Sequence, residues 1–258
     1  LKASYEEQLI VRTGYTATYT NVAFGRPQPR LPFRLRAGVE IAGYLPRLLA
    51  VLGGTKVNES GRHTILGLPY AEYLKGELDF APTYRFDEWN TLAGHIAVGY
   101  AYPFGNSLAL PFEKRYYGGG ANGIRGWSTR SLGPGTYNSE LQGYDFANKT
   151  GDIKLDMSLE FRRKLTEMFE LAAFVDAGNI WTIREYQSQP GGAFSFSTFY
   201  KELAVAYGMG LRLDLNFLLL RVDMGMKAHD PARPVGERWS LIKPNFGRDF
   251  AFHFAIGY

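Results

Sequence analysis

The chain has 258 residues, a formal net charge of +4, no cysteine, and an aromatic content of 15%. The lack of cysteine excludes disulfide frameworks, thiolate-bound metals and thiol nucleophiles, and the aromatic content argues against a disordered chain. Mean hydropathy is −0.21, and no run approaches the roughly 18 apolar residues of a membrane-spanning helix. Taken alone, hydropathy therefore predicts a soluble protein.

The residue pattern favours a different class of protein, because polar and apolar residues alternate with a period of two. From Asp152 to Arg162 the even positions are polar and the odd positions are Ile, Leu, Met or Phe. Such alternation predicts a strand with two chemically opposite faces rather than a helix. Similar segments predict nine strands, near 5–20, 31–46, 68–86, 91–104, 151–165, 168–181, 202–216, 217–229 and 249–258.

The links between these strands alternate in length. Four are short, and the four near 47–67, 105–150, 182–201 and 230–248 are long. Short turns at one end and long loops at the other are typical of an antiparallel up-and-down transmembrane β-barrel. Strands of this length also exceed the usual five or six residues of soluble sheets. The fold class predicted is therefore all-β, a transmembrane barrel.

The polar face of the strand at 151–165 points to the same architecture. It carries Asp152, Lys154, Asp156 and Glu160, and burying them without partners in a soluble core would cost several kcal/mol each. A wet or ion-paired lumen removes that cost, and lipid accommodates the apolar face. A soluble β-sandwich with one polar face is the alternative. Aromatic residues near strand ends, among them Tyr44, Trp89 and Trp181, fit interfacial girdles.

Nine strands are an odd number, whereas single-chain bacterial barrels have even numbers of strands. An open sheet would also leave two unpaired edges. We therefore expect residues 1–258 to be one portion of a larger barrel domain.

The long loop at 105–150 holds the run Gly118-Gly119-Gly120-Ala121-Asn122-Gly123-Ile124-Arg125-Gly126-Trp127. Its glycines match G-x-G-x-x-G formally, but a dinucleotide site needs a preceding strand and a following helix in a parallel unit. Gly133-Pro134-Gly135 downstream argues against such a helix. The stretch instead resembles the Val/Ile-Arg-Gly-aromatic signature of the BamA/TamA family of outer-membrane-protein assembly factors. Three further stretches resemble that family in the expected order, at 158–162, 174–181 and 252–258.

The resemblance implies a sixteen-stranded barrel of which this chain forms the last nine strands, with POTRA domains and the first strands lying upstream. It implies that the 105–150 loop folds into the lumen, with a motif formed by Gly119, Gly120, Ile124, Arg125, Gly126 and Trp127. The stretches 133–137 and 150–155 look closer to TamA-like relatives of the Bacteroidetes type.

The family's motif arginine pairs with acids that correspond here to Glu160 and Asp176. Strand parity independently puts both carboxylates on the non-lipid face. Arginine suits such a role because its planar guanidinium makes two-point hydrogen bonds to carboxylates. Bracing of the barrel, a direct part in moving a client protein, and a glycosidase-like pair of carboxylates are the alternatives, and bracing is favoured.

The resemblance further implies that client β-strands insert at a lateral seam formed by the last strand. The seam residues are Phe252, Phe254, Ile256, Gly257 and Tyr258. The expected partners are outer-membrane lipids, client outer-membrane proteins and accessory periplasmic or lipoprotein subunits. The expected location is the outer membrane of a Gram-negative bacterium. A passive porin or substrate-specific channel is the alternative function.

No enzymatic activity, cofactor or nucleic-acid partner is expected from the sequence. The four histidines, at 63, 95, 229 and 253, have no close spacing with one another, so no metal site is predicted. The basic residues near the short turns suit lipid headgroups or solvent, because no pattern of basic and stacking aromatic residues accompanies them.

Overall fold

A nine-stranded antiparallel sheet dominates the computed structural model, which describes residues 6–23, 29–138, 148–215, 217–241 and 243–257. Its strands are β1 (Arg12–Thr20), β2 (Phe33–Ala42), β6 (Tyr73–Arg85), β7 (Asn90–Pro103), β8 (Ile153–Lys164), β9 (Phe169–Trp181), β10 (Ala204–Asp214), β11 (Leu219–His229) and β12 (Phe250–Gly257). They lie in the sheet in this same order, so strands of this sheet that follow each other along the chain are neighbours. The predicted all-β, up-and-down architecture is confirmed.

The connection between β2 and β6 differs from the sequence prediction, because it is not a simple loop. The strand predicted at 31–46 ends at Ala42, and helix α1 (Tyr44–Val51) follows. Gly43 causes the change, since its φ of +89° is a left-handed conformation that interrupts the strand. A small sheet of β3 (Lys56–Val57), β4 (His63–Ile65) and β5 (Leu68–Pro69) occupies the rest of the connection. The strand predicted to begin at 68 therefore begins at Tyr73.

The two faces of the large sheet differ as the alternation predicts. Along β9, Leu171 and Val175 are exposed, whereas Phe174 and Asp176 are buried. We call the face that carries the buried residues the inner face, and its opposite the outer face. Exposed apolar side chains on the outer face suit lipid contact. Trp181 differs from the predicted girdle position: it is 1% exposed and packs edge-on against Phe194, because its indole Nε1 donates to Glu202 within the loop region.

The inner face is covered by the connection between β7 and β8. Ile124, Trp127 and Leu132 from this loop form a buried cluster with Ala204 and Ala206 of β10. The small alanines leave room for the loop to lie directly on the sheet. The apolar core of this region therefore sits between the loop and the sheet, and it fixes where the motif arginine lies.

The sheet has two open edges in the part of the chain that the structure describes. There, β1 pairs with β2 alone, and β12 pairs with β11 alone over Phe250–Gly257. A second helix, α2 (Phe246–Asp249), directly precedes β12. No helix within the described ranges is long and apolar enough to cross a membrane.

Candidate functional site: a buried arginine network on the inner face

Glycines shape the turn that carries Arg125. Gly119 and Gly120 have φ values of +85° and +95°, and a Cβ on Gly119 would lie 2.4 Å from the Ser128 carbonyl oxygen. Only glycine fits such a turn without strain. The turn is closed by the Gly120 N–H, which donates to the Trp127 carbonyl at 2.8 Å. The local sequence therefore places Arg125 within a tight turn closed between Gly120 and Trp127.

Arg125 meets Asp176 and Glu160 on the inner face. Its Nε and Nη2 donate to the two oxygens of Asp176, each at 2.8 Å, and its backbone N–H donates to Asp176 Oδ2 at 3.0 Å. Its Nη1 donates to Glu160 Oε2 at 2.5 Å. The Ser158 hydroxyl completes the cluster, accepting from Arg125 Nη2 at 3.1 Å and donating to Asp176 at 2.7 Å. The structure thus brings together the three residues that the sequence singles out.

The network extends to residues that the sequence analysis did not single out. Arg212 Nη2 donates to Glu160 Oε2 at 2.7 Å and lies 3.2 Å from Asp223 Oδ1. Arg221 Nε lies 2.8 Å from Asp223 Oδ2, and Arg162 Nε donates to Glu160 Oε1 at 2.6 Å. Strand parity was the available signal, because each of these residues falls on the polar side of its strand. Parity alone does not reveal which of them meet across neighbouring strands.

Two further contacts hold the arginine from other directions. Its Cζ lies 3.4 Å from the ring centroid of Phe174, a close cation–π stack. Its backbone carbonyl accepts from His253 Nε2 at 2.9 Å, which ties the loop to the last strand. Gly225 makes this approach possible, since a Cβ there would lie 2.0 Å from the Arg125 carbonyl oxygen.

The network is built for fixed charge pairing. Arg125 is 4% exposed, Glu160 4% and Asp176 0%. Burial by itself would lower the pKa of Arg125, but the hydrogen bonds and charges of Asp176 and Glu160 outweigh it and raise that pKa, so the arginine stays charged. Both carboxylates are occupied by guanidinium groups. That occupancy favours an ion-pair role over the acid–base roles of a glycosidase.

The other motif and seam residues lie around this network. Ile124 and Trp127 are buried, and Lys227 Nζ lies 4.9 Å from the Trp127 ring centroid. A Cβ on Gly126 would lie 2.8 Å from Ala206 Cβ, so this glycine also permits close packing of the loop.

Of the predicted seam residues, three on β12 have exposed apolar side chains on the outer face: Phe252, Phe254 and Ile256. Gly257 pairs with Leu219, and Tyr258 lies outside the described residues. In the described ranges, no group of three or more His, Cys, Asp or Glu side chains is placed to hold a metal ion.

The chain is similar in sequence and in fold to known outer-membrane proteins. A curated relative, the outer membrane protein assembly factor BamA of Neisseria meningitidis serogroup B, is 28% identical over 98 residues, which are 37% of this chain and 12% of that protein. The solved structure of BamA from Haemophilus ducreyi lacking POTRA domains 1-3 matches with a TM-score of 0.50 and 16% identity. That match covers 96% of this chain and 55% of the solved one, so this chain spans about half of that structure and a smaller share of the curated relative.

CdiB from Acinetobacter baumannii matches with a TM-score of 0.35 and 13% identity, covering 96% of this chain and 50% of its own. A family model described as the Omp85 superfamily domain matches residues 58–258, which contain the loop motif, its acidic partners and β12. The chain therefore belongs to the Omp85 superfamily and forms part of an integral outer-membrane β-barrel of a Gram-negative bacterium.

Proposed function

We propose that this chain is part of a machine that inserts or translocates outer-membrane proteins, and that β12 is the template for client β-strands. The carrying observation is that β12 is the last strand of the sheet and, with eight residues, the shortest of its nine strands in the described part of the chain. Few backbone hydrogen bonds can therefore hold it to the strand that closes the barrel on its other side. Unpaired N–H and C=O groups along an edge recruit another strand readily.

The side chains of β12 suit the same role. Phe252, Phe254 and Ile256 are 60%, 58% and 61% exposed on the outer face. A client strand that pairs with β12 continues this apolar surface toward lipid and satisfies its own backbone hydrogen bonds. Those two gains supply free energy for insertion without a nucleotide. Client outer-membrane proteins and accessory periplasmic or lipoprotein subunits are the proposed partners.

The arginine network supports this function by bracing the sheet. Arg125 contacts β8 through Glu160, β9 through Asp176 and β12 through His253. It therefore ties the edge strand to strands that lie deeper in the sheet. Bracing of this kind would hold the sheet behind β12 in place while a client strand pairs along its edge.

Site-specific photo-crosslinking in the full-length protein tests the template role. A photoreactive amino acid at Phe252 should crosslink to a client during its assembly. The matched control is Val175, which is 52% exposed on the outer face of β9 but lies between β8 and β10. Equal crosslinking from both positions would contradict the proposal, because contact would then follow exposure and not the position of β12 at the end of the sheet.

Conductance separates this function from a passive channel. The loop that carries Arg125 occupies the inner face, where a porin would keep an open passage. We expect the full-length protein in a planar bilayer to show small or intermittent conductance. A large steady conductance would favour the porin.

A further inference from the structure

Helix α1 presents an apolar surface that the barrel fold does not use. With 3.6 residues per turn, six apolar residues of α1 and its C-cap fall within an arc of about 160°. All six are exposed: Tyr44, Leu45, Leu48, Leu49, Val51 and Leu52. The exposed fractions reach 56% at Leu48, 77% at Val51 and 74% at Leu52.

The opposite side of α1 faces the protein. Pro46 is buried and Ala50 is half-buried. Arg47 lies at the flank, where its Nη1 is 3.3 Å from Oε1 of the buried Glu72. It is the one charged residue in the helix, so the exposed arc itself carries no charge. A short helix with one apolar arc and one protein-facing side is built to rest between a protein and an apolar medium.

The position of α1 identifies that medium. Paired residues form a row across the outer face, in the order Thr13, Ile41, Leu74 and Tyr102. Three of these side chains are apolar or aromatic and about two-fifths exposed, at 40%, 42% and 39%. The Tyr44 hydroxyl lies 2.8 Å from the hydroxyl of Thr13 in this row. The helix therefore begins on the outer face, at the end of the sheet where the long loops lie.

We propose that α1 is an interfacial helix whose apolar arc enters the acyl-chain region of the outer leaflet. The occupant is lipid, since the arc continues the lipid-facing surface of the barrel with no charged residue in between. Insertion removes exposed leucine surface from water, which stabilises the membrane-bound state. The inference rests on the outer-membrane location and is independent of the proposed templating at β12.

A single-cysteine experiment in the full-length protein tests this assignment. The chain contains no cysteine, so Leu48→Cys or Leu52→Cys provides a unique labelling site once any cysteine elsewhere in the full-length protein is replaced by serine. Each variant is labelled with NBD and reconstituted into phospholipid vesicles. Part of the lipid carries a doxyl quencher near the headgroup end of its acyl chain.

Two controls define the scale. Leu78→Cys lies on the outer face of β6, where the side chain is 48% exposed, and reports lipid contact. Ser60→Cys lies in the polar turn between β3 and β4, beside Asn58 and Glu59, and reports water. We expect NBD at Leu48 and Leu52 to show the blue-shifted emission and doxyl quenching of Leu78, while Ser60 shows neither.

Two results would overturn the proposal. If Leu48 and Leu52 resemble Ser60 in vesicles, the helix lies in water. If both are blue-shifted without quenching by doxyl lipid, another segment of the full-length protein covers the arc and lipid does not.

Discussion

Removal of Arg125 should destabilise the barrel strongly. Arg125→Ala deletes four side-chain hydrogen bonds, two to Asp176 and one each to Glu160 and Ser158. It also removes the guanidinium that stacks on Phe174. The substitution leaves a carboxylate that is 0% exposed, that of Asp176, without its cation.

The two carboxylates should contribute unequally to this cost. Glu160 retains Arg212 and Arg162 as partners when Arg125 is lost. Asp176 retains the Ser158 hydroxyl and the backbone N–H of residue 125, neither of which carries charge. Removing one partner of a buried pair destabilises proteins by about 3–5 kcal/mol. We expect Arg125→Ala to lower the free energy of unfolding by that amount, with Asp176 responsible for most of it.

Urea unfolding of the full-length protein in detergent measures this loss, and resistance of the folded band to heat gives a second readout. Arg162→Ala is the matched control, because Arg162 also pairs with Glu160 but its side chain is 39% exposed. Exposed pairs contribute at most about 1 kcal/mol. If Arg125→Ala costs no more stability than Arg162→Ala, the network does not brace the barrel and the reasoning fails.

Three further changes, one of them with a matched control substitution, test separate parts of the structure. Phe174→Leu removes the ring beneath the guanidinium and should lower the free energy of unfolding by about 2 kcal/mol, measured in the same urea assay. Gly225→Ala drives a Cβ into the Arg125 carbonyl and should cost about 1–3 kcal/mol, with faster proteolysis of the loop. Gly76→Ala, where nothing lies within 4 Å of the added Cβ, should be nearly neutral, and equal effects would refute the packing argument. Burial raises the pKa of Asp249, but hydrogen bonds from Arg248, the Asn245 backbone and Arg233 outweigh it and hold that pKa at about 2. The unfolded value is about 3.9, so this stabilisation is present above about pH 4 and is lost as pH falls toward 2. Asp249→Asn should abolish that part of the acid sensitivity in melting curves, and an unchanged pH profile would contradict it.

Strand number, direction and facing follow from the sequence because each depends on local chemistry. Alternation from Asp152 to Arg162 predicts which side chains of β8 point inward, since the side-chain period of a strand is two. A short link can only join strands that are neighbours in the sheet. The alternation of short and long links therefore predicts an up-and-down order of strands. The resemblance at Ile124-Arg125-Gly126-Trp127 predicted the pairing of Arg125 with Glu160 and Asp176, and the bracing role of that cluster stays a prediction.

The local sequence pattern did not predict a residue's position correctly where that position depends on contacts with residues far away in the sequence. The position of Trp181 at the end of a strand predicts a residue of the interfacial aromatic girdle. In the structure, the loop between β9 and β10 folds back and buries Trp181 against Phe194. The strand predicted through 46 stops early because Gly43 adopts a left-handed conformation beside Glu72, where a Cβ would lie 2.4 Å from the Glu72 Cγ. That crowding comes from a residue nearly thirty positions away.

A period of two along the chain is enough to predict a two-faced antiparallel sheet, with charge on one face and apolar residues on the other. The tertiary structure brings Arg212, Arg221 and Asp223 to the motif arginine, since strand register sets which inward residues meet. It also decided that α1 turns its leucines away from the barrel, because the contacts of Pro46 and Arg47 orient the helix. Periodicity specifies a face, but only packing specifies what that face touches.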